Sequence, residues 1–280
     1  MTEETAQTIL RLNRETYEKI APEFHKARNV LWDDFSIFDP YVKEGMRILD
    51  IGCGSARLFR YLSDKGVSYV GIDQNRYLID RARERYPDGT FIQGDILELD
   101  KIPELSGQSF DCVFCISLLS HIPSHEYRRY VLGSMRTYAR STGMLLMLNW
   151  NLWRPGIRPG WRQKNIWTGN LQRLFLETDL WAIRYVVPER KIGLRDVMAW
   201  WGDSYQGSPL YYRAFSTGEL KKLCRSVGFG DVTSFYVRRG KRAFWWNGRT
   251  IATIARMTPI PVTASAPASQ KAVVPVPSAA

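Results

Sequence analysis

The stretch Ile48-Leu49-Asp50-Ile51-Gly52-Cys53-Gly54 constrains this chain more than any other. A short apolar run ending in two glycines, followed by helical spacing over Ala56–Lys65, reads as a strand that turns tightly into a helix. Gly52 and Gly54 let the backbone approach a ligand closely, and the helix start offers free N–H groups. Asp73 ends the next apolar run, Ser68–Ile72, where a carboxylate can accept from both hydroxyls of a ribose. Those features alone suit a dinucleotide unit equally well. Two details oppose that reading. The position of the third glycine in such a motif is Arg57. Asp50, beside the turn, would repel a pyrophosphate but suits a cationic ligand.

The flanking sequence sets the fold class. After a helical stripe over residues 4–20 and a second amphipathic stretch around 22–43, strands and helices alternate. The strands are Arg47–Ile51, Ser68–Ile72, Phe91–Gln93, Phe110–Ser117 and Met144–Asn149; the helices are Ala56–Lys65, Tyr77–Tyr86 and His125–Arg140. Such alternation predicts an α/β, doubly wound parallel sheet. Residues 151–212 lose the alternation and read as an insertion with partial helices. Ser216–Gly228 reads as a capped helix, with Val232–Val237 and Thr250–Ala255 as a last strand pair. The expected organisation is a helical cap (1–45), a ligand-binding core (46–150), a substrate-side insertion (151–212), a closing helix and hairpin (213–257), and a disordered Pro/Ala/Ser/Val tail (258–280).

Two further pieces lie where an adenosyl ligand would need them. Asp95, after the third strand, can accept from an adenine amino group while Ile96 packs on the ring. Ser117 closes the fourth strand, whose end faces the reacting group. On these residues the chain resembles the class I S-adenosylmethionine-dependent methyltransferases over roughly residues 40–150. The resemblance implies a Rossmann-like, seven-stranded sheet with a terminal antiparallel hairpin. It also implies S-adenosyl-L-methionine as cofactor, with Tyr17, Arg28, Asp50, Gly52, Cys53, Gly54, Asp73, Gln74, Asp95, Ile96 and Ser117 around it. Arg28 is suited to hold the methionine carboxylate bidentately.

A narrower resemblance lies in the flanks. Tyr17-Glu18-Lys19-Ile20-Ala21-Pro22-Glu23-Phe24, Ala27-Arg28, Trp32, Asp196-Val197 with Trp201, and Tyr211-Tyr212 with Phe215-Ser216-Thr217-Gly218-Glu219-Leu220 resemble the tRNA wobble-uridine carboxymethyl methyltransferases. That implies esterification of a carboxylate on a modified uridine, with tRNA as partner and, in eukaryotic members, a small zinc-binding activator protein. The chain departs from the family pattern on the substrate side. Ser120-His121 stands for paired histidines, Leu210 for an arginine, Arg213 for a histidine, and Trp200 for a proline.

The chemistry separates the acceptor classes. A carboxylate is already ionised at neutral pH and needs no general base, whereas a phenol or ring carbon does. His121 is the candidate base, with a helix-entry packing role as its alternative. Asn149 could donate to the acceptor, and Trp150 or Trp153 could stack a base, one of the two being expected to pack the insertion instead.

Charge points the same way. Residues 1–150 hold 19 Lys+Arg and 21 Asp+Glu, against 20 and 7 in residues 151–280, which also hold eight of the ten tryptophans. Arg154, Arg158, Arg162 and Lys164 interleave with Trp153, Trp161 and Trp167, and Arg238-Arg239-Gly240-Lys241-Arg242 precedes Trp245-Trp246. Basic residues among aromatics suit looped RNA, through phosphate neutralisation and base stacking. Trp150, Trp153, Arg154, Tyr211, Tyr212, Arg213, Arg238 and Arg239 are the expected acceptor contacts; no DNA is expected. The alternatives are a small-molecule O- or C-methyltransferase for an anionic metabolite and a non-catalytic RNA-binding scaffold. No run is long enough to span a membrane, and the acidic N-terminus is unlike a signal peptide, so a cytoplasmic protein is expected. Cys112 and Cys115, at odd spacing on one strand, are expected on opposite faces as core thiols rather than as a metal pair.

Overall fold

The computed structural model describes residues 1–28, 30–154, 195–200 and 209–258. Expectations for Arg158, Trp161, Arg162, Lys164, Trp167 and Trp201, and for the tail from residue 259 on, lie outside the described residues.

Eight strands form one sheet. β1 (Arg47–Ile51), β2 (Ser68–Asp73), β3 (Thr90–Gln93), β4 (Phe110–Ile116) and β5 (Ala139–Trp150) pair in parallel. β8 (Phe229–Arg238), β9 (Lys241–Ala243) and β10 (Thr250–Met257) complete the sheet in antiparallel pairings, giving the order β3-β2-β1-β4-β5-β10-β8-β9. β1 and β4 are neighbours although β2 and β3 lie between them in the chain, so the connections diverge there and open a crevice at the strands' carboxyl ends.

The expectation of seven strands is corrected by β9. Arg239 (φ 51°) and Gly240 (φ 71°) both take left-handed backbone, the two-residue turn that reverses a strand tightly, so Arg238 pairs with Lys241. What reads in sequence as a basic run is a hairpin tip. Its attachment is specific: the buried Asp34 carboxylate accepts from Gly240 N at 3.1 Å and from Thr250 Oγ1 at 2.8 Å.

Parallel strands covered on both faces bury successive residues on opposite sides. Leu49, Ile51, Val113, Cys115, Leu145 and Met147 face one core, while Ile48, Cys112, Phe114, Leu146 and Leu148 face the other. The two cysteines therefore sit on opposite faces, both fully buried, as expected. The first core is closed by α4 (His125–Tyr138) and α5 (Thr217–Ser226). The second is closed by α2 (Arg57–Leu62), α3 (Arg76–Arg85) and the 3-10 segment Asp33–Tyr41. Phe114 is fully buried there, edge-on to Phe38 at 5.4 Å. Phe114→Ala should lower unfolding free energy by about 3–5 kcal/mol, read by urea denaturation, because a rigid aromatic core cannot refill that volume.

The N-terminal region departs from two amphipathic pieces. One helix, α1 (Glu3–Ala27), runs through Pro22, and the second stretch is the 3-10 segment. Thr2 caps α1, Glu3 and Glu4 lie in its first turn, and Ile9, Asn13, Thr16 and Ile20 form its buried stripe. A small separate sheet, β6 (Asp196–Trp200) with β7 (Pro209–Arg213), holds that stripe in place. Thr16 Oγ1 donates to Pro209 O at 3.1 Å and Tyr211 N to Asn13 Oδ1 at 2.8 Å. The effect is to seat α1 across the carboxyl ends of the strands.

Candidate active site

The glycine turn is built by backbone hydrogen bonds. Gly52 N and Cys53 N both donate to Ile72 O, at 2.8 and 3.0 Å, so the end of β1 is fastened to the end of β2. Gly52 (φ 79°) and Gly54 (φ 55°) are left-handed, and a Cβ on Gly52 would lie 2.8 Å from Leu118 Cδ2. At Gly54 a Cβ would meet only Phe24 Cε1, at 3.8 Å, so the backbone there faces open space. Cys53 is buried, and burial pushes its thiol well above the usual range, leaving it inert.

Two carboxylates flank the turn. Asp73 Oδ2 accepts from Gly54 N and Oδ1 from Asn75 N, both at 2.9 Å. Burial pushes its carboxyl up, opposed by those two N–H groups. Asp50 is almost completely buried; its Oδ2 accepts from Tyr69 OH at 2.6 Å, while Oδ1 has no partner. Burial pushes the Asp50 carboxyl up to about 7, with the Tyr69 hydroxyl pulling it down, nearby Asp73 raising it and Arg57 lowering it.

Above them a cavity is walled by α1 and the strand ends. Each expected cofactor residue lines it: Tyr17, Arg28, Asp50, Gly52, Cys53, Gly54, Asp73, Gln74, Asp95, Ile96 and Ser117. So do His121, Trp150 and Tyr212. Asp95 Oδ1 accepts from Leu97 N at 2.9 Å, and its other oxygen pairs with Arg14, whose Nε donates to Gln74 Oε1 at 3.2 Å. Ser117 takes left-handed backbone (φ 57°), and its Oγ is buried without a partner.

His121 is buried in a fixed arrangement. Its Nδ1 lies 2.9 Å from Tyr211 O, an atom that can only accept, so Nδ1 carries the proton. Nε2 then accepts from Tyr17 OH at 2.9 Å. Burial holds the imidazole down to about 4, so it is neutral at physiological pH. The Asn13 amide donates to His121 O at 3.0 Å, and the Tyr212 ring lies 4.4 Å from the imidazole. Both ring nitrogens are thus engaged by the protein.

Other expected acceptor contacts are placed elsewhere. Asn149 is completely buried, with both amide atoms unpartnered, and is not part of the cavity wall. Its position follows from strand alternation, which puts Trp150 on the cavity side. Tyr211 is completely buried, donating to Asp196 Oδ1 at 2.7 Å, and Arg213 pairs with Asp196 and Glu219. Tyr211 ties β7 to β6 and to Arg128 of α4, and Arg213 ties the β6–β7 sheet to Glu219 of α5, instead of facing a ligand. Trp153 Nε1 donates to Ala214 O at 3.2 Å, so it is the tryptophan that packs the insertion. Arg154 is half-buried, while Arg238 and Arg239 are exposed on the hairpin.

Several lining residues carry no expectation from the sequence. Asn75 caps α3 and donates to Tyr17 O at 3.2 Å; its position just after a strand-ending acid was a readable capping signal. Arg14 lies one turn from Tyr17 on α1, so helical spacing could have placed it. Arg57 was noticed only as a missing glycine. Trp32, which packs against Arg57 without lining the cavity, was noticed only as part of a family pattern.

The comparisons agree with this geometry. Residues 48–143 match the family model described as a methyltransferase domain. A sterol 24-C-methyltransferase of Aspergillus fumigatus is 37% identical over 95 residues, 30% of this chain and 23% of that protein. A ubiquinone biosynthesis O-methyltransferase of Hahella chejuensis is 31% identical over 80 residues, 28% of this chain and 34% of that protein. The chain thus spans about a quarter to a third of the length of these curated relatives. Among solved structures, the 1,6-didemethyltoxoflavin-N1-methyltransferase of Burkholderia thailandensis, with its toxoflavin precursor and S-adenosylhomocysteine bound, superposes with a TM-score of 0.56 at 16% identity, covering 92% of this chain and 91% of that one.

Residues 48–143 are a class I S-adenosylmethionine-dependent methyltransferase domain. S-adenosylmethionine is its cofactor, and the residues present fit it. A buried unpaired carboxylate oxygen on Asp50 suits a cationic ligand, and Gly54 leaves room that a side chain would take. Among the described residues no helix is long and apolar enough to cross a membrane.

Proposed function

We propose that the protein is a methyltransferase that esterifies a carboxylate, and that this carboxylate is the carboxymethyl group of a wobble uridine in tRNA. The observation that carries the reading is His121. Its Nδ1 proton is committed to Tyr211 O and its Nε2 to Tyr17 OH, so the one histidine in the cavity wall is not free to take a proton. An acceptor that arrives ionised needs no such base.

In this reading Asp73 accepts from the ribose hydroxyls, Asp95 and Ile96 hold the adenine, Asp50 holds the ammonium and Arg28 the carboxylate. When bound, the cofactor would supply a methyl group on a sulfonium for transfer to the acceptor oxygen, leaving S-adenosylhomocysteine and a methyl ester. Tyr17 and His121 keep their shared hydrogen bond throughout, and no proton changes hands. The chain's contribution is to align the reactants and exclude water. RNA as the carrier is supported by the exposed hairpin basic residues Arg238, Arg239, Lys241 and Arg242 beside exposed Phe244, Trp245 and Trp246. A free small-molecule carboxylate is the second reading, favoured by the small molecule held in the Burkholderia structure.

Labelled methyl transfer into tRNA pools carrying the carboxymethyl precursor, assayed alone and with the small activator protein, separates the two. The lead reading expects label in one nucleoside, released as methanol by mild base. Absence of label from every pool would sink the tRNA assignment. His121→Gln should keep kcat within about threefold of wild type; a loss of about 100-fold or more would make His121 a base and remove the carboxylate reading.

A further inference from the structure

Beside the cofactor residues stands a cluster of three arginines whose acidic neighbour is Asp50, the residue assigned above to the cofactor ammonium. The Arg57 guanidinium stacks 3.8 Å from the centre of the Trp32 ring. Arg249 reaches the same edge from the end of the hairpin, 5.9 Å from Trp32 and 5.6 Å from Trp150. Arg28 lies 5.8 Å from Trp32 on the third side. The two indoles meet edge-on at 4.8 Å, and Trp32 is buried. Among the described residues none of these three guanidiniums takes part in an ion pair, and Arg28 Nε is buried without a hydrogen-bond partner. Their mutual repulsion registers directly: burial first, then Arg28 and Arg249, hold the Arg57 guanidinium well below its usual range, with Asp50 the opposing influence.

Arg28 and Arg57 are half-buried and Arg249 is exposed, and half-buried like charges favour a compensating anion. The cofactor does not provide enough. It carries one carboxylate, an ammonium and a sulfonium, a net positive charge. With its carboxylate on Arg28, Arg57 and Arg249 remain unmatched. A guanidinium stacked on an indole keeps its N–H edge free in a fixed plane, the geometry that meets a carboxylate bidentately. The two indole rings beside it supply an aromatic wall for a flat group.

We propose that Arg57 and Arg249, framed by Trp32 and Trp150, form the acceptor's anion subsite and select a carboxylate borne on a planar ring system. This rests on the methyltransferase reading above, whose acceptor it specifies. Arg154, whose guanidinium is held down by burial first and then by Arg238 and Arg249, continues the positive path outward to the hairpin.

The test uses the full chain loaded with S-adenosylhomocysteine, with benzoate as the probe and neutral benzamide as its isostere, followed by tryptophan fluorescence and calorimetry. Benzoate should bind, and benzamide should bind at least about tenfold more weakly. Arg249→Ala and Arg57→Gln should each weaken benzoate by about tenfold or more, and Arg249→Ala should keep S-adenosylhomocysteine affinity within about threefold of wild type. Arg249 is exposed and its backbone bonds to Val237 and Asn151 survive truncation, so Arg249→Ala loses the side-chain contacts with Trp32 and Trp150 while the fold is kept. Benzamide binding as well as benzoate, or Arg249→Ala binding benzoate like wild type, would overturn the subsite. Loss of S-adenosylhomocysteine binding in Arg57→Gln would move Arg57 to the cofactor and overturn it too. Wild type that binds no S-adenosylhomocysteine would instead overturn the proposed activity, with benzoate titration of the cofactor-free protein still reading the arginines.

Discussion

Gly52→Val is expected to reduce S-adenosylhomocysteine affinity by about 100-fold or more, measured by calorimetry on protein first shown to melt cooperatively. The backbone at Gly52 has φ 79°, where an L residue costs roughly 1–2 kcal/mol and a β-branched one more. The new Cβ would also fall 2.8 Å from Leu118 Cδ2. The turn has no room to yield, and although Leu118 Cδ2 is the tip of a flexible side chain on the cavity wall, Leu118 Cβ would also lie 3.1 Å away. Gly52 N and Cys53 N are both bonded to Ile72 O, and Leu118 directly follows Ser117, whose N is bonded to Leu148 O at 2.7 Å. Relief must therefore move the turn into the space the cofactor needs. Gly54→Ala is the graded control. Its φ of 55° is one alanine can take at some strain, its Cβ meets nothing closer than 3.8 Å, and its loss should be about tenfold or less. Gly52→Val binding S-adenosylhomocysteine within threefold of wild type would show that this turn is not the cradle.

Asp50 should make cofactor affinity depend on pH. In the free protein burial pushes its carboxyl up to about 7, so it is half protonated near neutrality. A ligand ammonium at its unpaired oxygen favours the ionised form, and binding below pH 7 must expel a proton. Affinity should rise with pH up to about 7 and level off above it. Below that point it should fall by as much as about tenfold per unit. Calorimetry in two buffers of different ionisation enthalpy counts the proton directly. Asp50→Asn should lose both the slope and the proton release. Stability without cofactor runs the other way. The folded carboxyl titrates above the unfolded one, so the unfolded chain ionises first and stability declines from about pH 4 to about pH 7. Asp50→Asn should therefore melt higher than wild type at pH 8. A pH-independent affinity in wild type would remove the ammonium from Asp50.

Much of the cofactor half was readable because its signals are local. The strand, the two left-handed glycines and the acids that follow β2 and β3 are fixed within a few residues of chain, and backbone sterics dictate what they can be. The paired cysteines were readable for the same reason, since strand alternation alone separates them. Errors arose where a local rule was outweighed. The helical stripe was read only as far as residue 20, yet α1 runs through Pro22 to Ala27. The Arg238–Arg242 run was read for charge, which hid the turn that makes the eighth strand.

The acceptor side was far less legible. Tyr211 and Tyr212 are adjacent in sequence, but β7 sends one to Asp196 and Arg128 and the other to the cavity. Nothing in a two-residue pattern says which. Arg57, Arg249 and Trp32 come from three segments far apart in the chain, and their clustering exists only once α2, the hairpin and the 3-10 segment pack together.

By itself, then, the sequence determined the doubly wound class, the glycine turn and the acids that line the cavity, because each follows from short-range backbone geometry. Tertiary structure alone decided that His121 is fully engaged, that Asn149 and Tyr211 turn inward, and that three arginines gather around Trp32. Those facts depend on which distant segments share a desolvated space, and burial and hydrogen-bond saturation are properties of that packing.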